Sequence, residues 1–231
     1  MKIRAIILSA LILCGISAVI MYSRAAQPQQ KSSVITQAIN DKNTPMVIKN
    51  LILKMKEQME VNDDQFPELI KEVENYTNSC ADSASVAVLH SMLAEMYQSY
   101  YQRNQWTINQ RTQLSGYIPE DIRVWTSNLF TDKIKEEIDL SLRPTALLQN
   151  TPVSKFKDIL EIGKDSQTLR PTLYEFLAFR ALDIQPTVQI YKDLIAFQNK
   201  EPNMKSVLLT ELDYLRFLYG DKRDKESFEA Y

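Results

Sequence analysis

The chain has 231 residues, of which 45% are apolar and 24% are charged, so it is long enough to bury a core and has the composition of a globular protein. It contains only four glycines, and β-sandwiches, barrels and nucleotide-binding loops use glycine at turns and phosphate loops, so those folds are disfavoured. The 27 basic and 29 acidic residues give a net charge of −2, which disfavours nucleic-acid binding because no basic surplus remains to neutralise phosphates.

The N-terminus predicts a cleavable signal peptide that covers residues 1–25. Lys2 and Arg4 precede an apolar run over residues 5–21, and small residues at the −3 and −1 positions fit cleavage after Ala25. The run is at the lower edge of the length that spans a bilayer, so a retained membrane anchor is the alternative. We therefore expect an exported protein of the periplasm or cell envelope, with membrane contact only through this segment if it stays uncleaved.

Residues 26–43 are predicted to form a flexible leader, since the stretch 26–33 is polar. Cleavage after Ala25 removes three basic residues and no acidic one, which leaves 24 basic and 29 acidic residues. It also leaves Cys80 as the only cysteine, so an intramolecular disulfide is excluded in the mature chain.

The remaining stretch, 44–231, is predicted to be one helical domain. A helix begins near Thr44, and proline at position 67 begins a second one. Ser83 or Ser85 is expected to cap a third helix. The apolar residues recur at offsets of 3, 4 and 7, which is the helical period; in the first and third helices they are Val47, Leu51, Met55, Met59, Val86, Leu89, Leu93, Met96, Tyr97 and Tyr100.

The second half continues in helices that are separated by prolines. Residues 104–118 lack periodicity and are predicted to form a long connection, after which a helix runs from Pro119 to Leu142 with Ile122, Trp125 and Ile134 inward. Short segments follow, and further helices are predicted from Pro171, from Pro186, and over residues 204–219, where Gly220 is the stop signal. The fold class predicted is all-α, an irregular stack of antiparallel helical hairpins that resembles a solenoid or a bundle.

Nothing in the sequence predicts catalysis, a cofactor or a metal site. The four glycines lie too far apart for a phosphate loop, and one histidine cannot build the common zinc sites. Cys80 and His90 are the only thiol–imidazole pair, and we interpret them as a small semi-buried thiol and a histidine on a helix flank. The acidic pairs 63–64, 120–121 and 136–137 are expected at helix starts or on solvated faces.

Aromatic and arginine residues are concentrated in the segment 97–125. Such residues are the usual anchors of protein interfaces, and they are equally able to pack a helical core. We favour the core for most of them, Trp106 included, because several fall on an inward stripe. The candidate interaction surface consists of Tyr101, Arg103, Trp106, Arg111 and Tyr117.

Several strings resemble the N-terminal helical region of large bacterial alpha-2-macroglobulin-like proteins. They are LHSMLAEMY at 89–97, YYQRNQW at 100–106, NQRT at 109–112, LLQNTP at 147–152, LRPTLYEFLA at 169–178 and YKDLIAF at 191–197. The similarity spans about residues 45–220 and carries no catalytic motif.

The resemblance implies an exported envelope protein that is related to protease traps. Many members of that family hold a Cys-x-Glu-Gln thioester, but Cys80 is followed here by Ala-Asp-Ser, so no thioester is expected at this position. The prediction is a non-catalytic helical module of a protease-inhibitor system, whose partner is another protein or downstream domains of the same polypeptide. The alternative is a free-standing helical-repeat adaptor that binds a peptide or an envelope protein in a concave groove.

Overall fold

A computed structural model describes residues 44–61, 64–112, 117–160, 165–200 and 203–220. Within these ranges the chain is all-α, as predicted, and no strand occurs; an isolated bridge pairs Pro152 with Thr172. The proposed signal peptide and leader lie outside the described residues.

The chain divides into two compact units, residues 1–54 and 55–231. The described part of the first unit is the start of helix α1, Thr44–Val61, where Val47, Ile48 and Leu51 are buried. This burial agrees with the predicted stripe, and in the second unit Met55 continues it.

The second unit continues with helices α2, Phe66–Ser79, and α3, Ser83–Ile108. Pro67 lies in the first turn of α2, where a missing N–H costs nothing. The cap of α3 is Asp82, whose carboxylate accepts from the backbone N–H of Ser85 at 3.2 Å, so the expected serine caps were wrong.

Helix α3 is also longer than the sequence predicts, because it continues through residues 104–108 of the expected connection. The predicted helix from Pro119 to Leu142 is split. A 3-10 turn, Ile122–Val124, is followed by α4, Ser127–Ser141, with extended backbone at Trp125 and Thr126 between them. The expected inward residues Ile122, Trp125 and Ile134 are nevertheless buried.

Short elements link α4 to the C-terminal helices. They are α5, Thr145–Asn150, a 3-10 turn, Val153–Phe156, and α6, Ser166–Leu169. Backbone bonds from Val153 N to Pro171 O (2.9 Å) and from Leu173 N to Thr151 O (2.8 Å) hold this linker against the start of the next helix.

Helices α7, Leu173–Ile184, α8, Val188–Gln198, and α9, Met204–Tyr219, complete the unit. Each begins one residue after a side-chain cap, and these caps are Thr172, Thr187 and Asn203. Gly220 ends α9 with φ of 68°, a left-handed value that glycine adopts without a steric penalty, so the predicted stop is confirmed.

Candidate interaction surface

The end of α3 and the loop that follows it carry four exposed apolar side chains, which we call the Trp106 surface. Trp106 is 80% exposed, Ile118 69%, Tyr117 60% and Val124 55%. A large aromatic ring that remains in water gains nothing from folding, and a tryptophan exposed to this extent is a candidate interface anchor.

The neighbouring aromatic residues pack the core between α3 and α4. The rings of Tyr97 and Trp125 stack at 5.7 Å with an interplanar angle of 4°, and Phe130 lies 5.3 Å from Trp125. Tyr97 also donates to Glu74 at 2.6 Å, and burial together with this carboxylate raises the pKa of the phenol. The core interpretation is therefore confirmed for Tyr97 and Trp125.

Two tethers hold the loop that carries the Trp106 surface. The indole N–H of Trp125 donates to Pro119 O at 2.6 Å, and Arg111 Nη1 donates to Trp125 O at 2.7 Å. Arg123 bonds both carboxylate oxygens of Glu68, at 2.6 and 2.8 Å, and this hydrogen bond lowers the pKa of Glu68. These bonds fix the chain at Arg111 and over residues 119–125, next to the exposed side chains of Ile118 and Val124.

The five candidate surface residues divide into two groups. Tyr101 is half-buried: its hydroxyl donates to Asn109 at 3.1 Å and its ring lies 5.9 Å from that of Phe130. Arg111 is half-buried as a tether. Arg103, Trp106 and Tyr117 are exposed. The expectation that Trp106 lies in the core was wrong, because its side chain lies on the outer face of the last turn of α3, whereas Ile108 in the same turn faces inward and is fully buried.

A groove of about 840 Å³ lies among α4, α5 and α8, and we call it the α4–α8 groove. Its floor consists of the buried side chains Ile138, Tyr174, Ile190 and Phe197, and the last two are on α8. Burial raises the pKa of Tyr174 to about 12, so this phenol stays protonated at neutral pH. The charged residues along the rim are Lys135, Asp139, Arg143, Asp193 and Lys200.

An ionic cluster centred on the buried carboxylate of Glu137 joins α3 to α4. His90 Nδ1 donates to Glu137 Oε2 at 2.6 Å, and Lys133 Nζ lies 2.8 Å from Glu137 Oε1. Glu137 is only 2% exposed. Burial alone would raise its pKa, but the hydrogen bonds from His90 and Lys133 outweigh burial and the pKa is lowered.

This cluster corrects one sequence expectation and refines another. Glu137 was expected on a solvated face, but it is the buried acceptor for two cationic or polar donors. His90 is engaged with Glu137, whereas Cys80 Sγ lies 4.0 Å from Asp82 O and its pKa is raised by burial. Cys80 is half-buried, and a thiol whose pKa is raised is a poor nucleophile at neutral pH. Sequence periodicity could not find the cluster, because His90 and Glu137 are 47 positions apart.

No protein-family model, curated protein or solved structure matches this chain. The described ranges contain no group of three or more His, Cys, Asp or Glu side chains that could hold a metal ion. Among the same residues, no helix has the length and apolarity that crossing a membrane would require.

Proposed function

We propose that this chain is an exported, non-catalytic helical module of the cell envelope that works by binding protein. The partner is another protein or further domains of its own polypeptide, as in the alpha-2-macroglobulin-like protease-inhibitor systems that the quoted strings resemble. The observation that carries the proposal is the 80% exposure of Trp106.

The physical support is the stabilisation that the protein forgoes by leaving a tryptophan side chain in water. Burying a tryptophan contributes several kcal/mol to an interface or a core, and tryptophan is enriched among interface anchors. Here the second tryptophan, Trp125, is buried while Trp106 is left in water beside the loop that carries Tyr117 and Ile118. Side-chain bonds to backbone carbonyls hold the chain at Arg111, Pro119 and Trp125, so these parts of the surface would need little ordering when a partner binds.

Site-specific photo-crosslinking in the native host tests this proposal. A benzophenone amino acid replaces Trp106 in one variant and the exposed Lys157, which lies outside the Trp106 surface, in a control variant. We expect a discrete protein adduct, or a crosslink to another part of the same polypeptide, at position 106 and none at 157. The absence of any adduct at 106 in a normally folded variant would contradict the proposal.

The second candidate is a free-standing adaptor that binds a peptide segment in the α4–α8 groove. The groove supports it, because an apolar floor with a rim of both charge signs suits a segment with one or two large apolar side chains and flanking charges. A third crosslinking variant at Asp139, on the exposed rim, tests this candidate. An adduct at 139 with none at 106 would favour the adaptor.

The reading frame downstream of Tyr231 separates the two candidates independently of crosslinking. An in-frame continuation into β-rich domains favours the inhibitor-system module, and a stop codon favours the adaptor. The crosslinking result then identifies which surface is used.

A further inference from the structure

The C-terminal helix α9 packs against α8 through one face only. Val207 and Thr210 are buried on that face, and the ring of Tyr191 on α8 lies 5.2 Å from Tyr214 and 5.5 Å from Phe217. These contacts fix the orientation of the helix, so the residues on its opposite side can be identified from the 100° rotation per residue.

The opposite side carries an apolar stripe that we call the α9 seam. It consists of Leu208, Leu212, Leu215 and Tyr219, which are 57%, 44%, 44% and 53% exposed. Their spacings of four, three and four residues match alternating d and a positions of a heptad repeat. A coiled-coil seam is formed by this pattern when a second helix lies along it.

The residues that flank the seam indicate how a second helix would be oriented. In this register Met204 and Glu211 occupy g positions, and Leu209 and Arg216 occupy e positions. In a parallel pair, each g residue faces the e residue five positions later on the other helix. Met204 would then face Leu209, and Glu211 would face Arg216.

An antiparallel pair lacks this complementarity. There g faces g and e faces e, so Glu211 would lie opposite Leu218, and Arg216 opposite Leu209. The side chains of Glu211 and Arg216 would then be partly removed from water beside a leucine, and neither would gain an ion-pair partner on the other helix. Arg216 already bonds Asp213 at 3.2 Å, but both side chains are exposed and such a pair is weak enough to be exchanged.

From these observations we propose that two copies of this chain associate in parallel along the α9 seam, with reciprocal ion pairs between Glu211 and Arg216. Met204 and Leu209 are 68% and 42% exposed and extend the apolar surface. If the seam and these flanks are covered on both copies, the buried area approaches the roughly 1,200 Å² at the lower end of specific interfaces. The dimer is therefore concentration-dependent.

Lys205 weakens this parallel pairing and at the same time selects its register. It is exposed and occupies the a position that precedes the seam, so two lysines would face each other at the start of the parallel pair. A lysine at one a position is a known way to select register and oligomer state at a cost in stability. Lys205→Leu should therefore tighten the dimer.

Charge-reversal variants test the proposal, and the experiment uses the full mature protein purified from its host. Sedimentation equilibrium over about 1–300 μM covers the range expected for a small interface. We expect a dimer whose dissociation constant rises about tenfold or more in Glu211→Arg and in Arg216→Glu, because each variant sets like charges against each other. The double variant should restore dimerisation to within about threefold.

Circular dichroism verifies that each variant retains its helices. A monomer throughout the concentration range would overturn the proposal. So would a dimer that is indifferent to both reversals, since this would place the contact elsewhere on the chain.

A cysteine crosslink tests the parallel register separately. In a Cys80→Ala background, Leu212→Cys places two identical a positions next to each other in a parallel pair, within disulfide reach. An antiparallel pair would bring Leu212 opposite Leu215 instead. We expect Leu212→Cys to form a disulfide-linked dimer on oxidation. Adding Lys205→Leu to this variant should increase the yield of the linked dimer. No crosslink from Leu212→Cys, with efficient crosslinking of the Leu212→Cys/Leu215→Cys double variant, would overturn the parallel arrangement.

Discussion

At the scale of single residues, the carboxylate of Glu137 is a buried charge that depends on its hydrogen-bond partners for stability. It is 2% exposed and accepts from His90 and Lys133. Glu137→Gln would turn one acceptor into a donor that faces another donor. We expect a loss of about 2–4 kcal/mol in the free energy of unfolding, measured by urea denaturation at pH 7.

Glu136→Gln provides the matched control. Glu136 bonds the same Lys133 at 3.0 Å, but its side chain is 58% exposed. The loss there should be below about 0.5 kcal/mol, since exposed ion pairs contribute little. Equal losses in the two variants would mean that burial does not distinguish these carboxylates.

Acid should reduce the contribution of Glu137 specifically. Its pKa in the folded state lies below the ordinary value of 4.5, so near that pH the unfolded chain binds more protons than the folded one. The stabilisation is complete above the unfolded pKa and is lost as pH falls through the folded pKa. We expect the difference between wild type and Glu137→Gln to shrink below about pH 4.5 in denaturation curves. A constant difference down to pH 3 would contradict this assignment.

The two tryptophans should respond oppositely to truncation. Trp125 is 8% exposed and stacked on Tyr97, so Trp125→Ala should cost about 3–5 kcal/mol. Trp106→Ala should change the free energy of unfolding by no more than about 0.5 kcal/mol. Thermal melts of the two variants measure both effects. A large loss at Trp106 would show that its ring is covered in the folded protein.

The sequence identifies the aromatic segment but does not predict which of its rings are buried. Both tryptophans, with Tyr97 and Tyr101, lie in one aromatic segment, which predicts a core and a surface equally well. Which ring is buried depends on which face of each element packs against its neighbours, and this depends on contacts between residues far apart in the chain. The tethers of Arg111 and Trp125 to backbone carbonyls have no sequence signature.

At the scale of elements, the start of α7 is fixed by a capping box, in which the cap residue and the third helical residue bond each other's backbone. The Thr172 hydroxyl accepts from Glu175 N at 3.3 Å, and Glu175 Oε2 accepts from Thr172 N at 3.1 Å. Glu175 is buried and also accepts from Gln198 of α8 at 3.1 Å. Thr172→Ala should therefore destabilise the protein by about 1 kcal/mol, measured as a shift of the urea midpoint.

Thr172→Ser keeps the hydroxyl and serves as the control, with a smaller expected shift. Similar shifts in both variants would indicate that the methyl group of the threonine, and not the cap, matters at this position.

The helix start at Pro67 and the helix end at Gly220 were predictable, whereas the cap of α3 and the helix start at Pro119 were predicted wrongly. Pro67 and Gly220 act within one turn of their own positions, so local chemistry decides the outcome. The end of α3 and the break before α4 were not predictable. The polar residues 102–105 interrupt the apolar stripe, yet the helix continues because these side chains face water.

At the scale of the whole molecule, the proposal of export makes a prediction about the N-terminus. If signal peptidase cuts after Ala25, the mature protein begins at Ala26 and loses Cys14 with the first segment. Intact-mass measurement of the protein from the envelope fraction of its host should give the mass of residues 26–231. A retained N-terminus in that fraction would favour the membrane-anchor alternative.

The length of α3 sets a distance inside the second unit. At 1.5 Å per residue, its 26 residues extend about 39 Å, with Cys80 just before the first turn and Trp106 in the last. A dye on Cys80 would thus lie about 30 Å or more from a partner bound at Trp106, because most of α3 separates the two positions. Cleavage of the signal peptide would leave that thiol without a competing cysteine, although its raised pKa calls for labelling at alkaline pH. Helix α3 therefore sets a known distance, and energy transfer between a dye on Cys80 and a dye on the partner would report where the partner binds. No new cysteine has to be introduced into the chain.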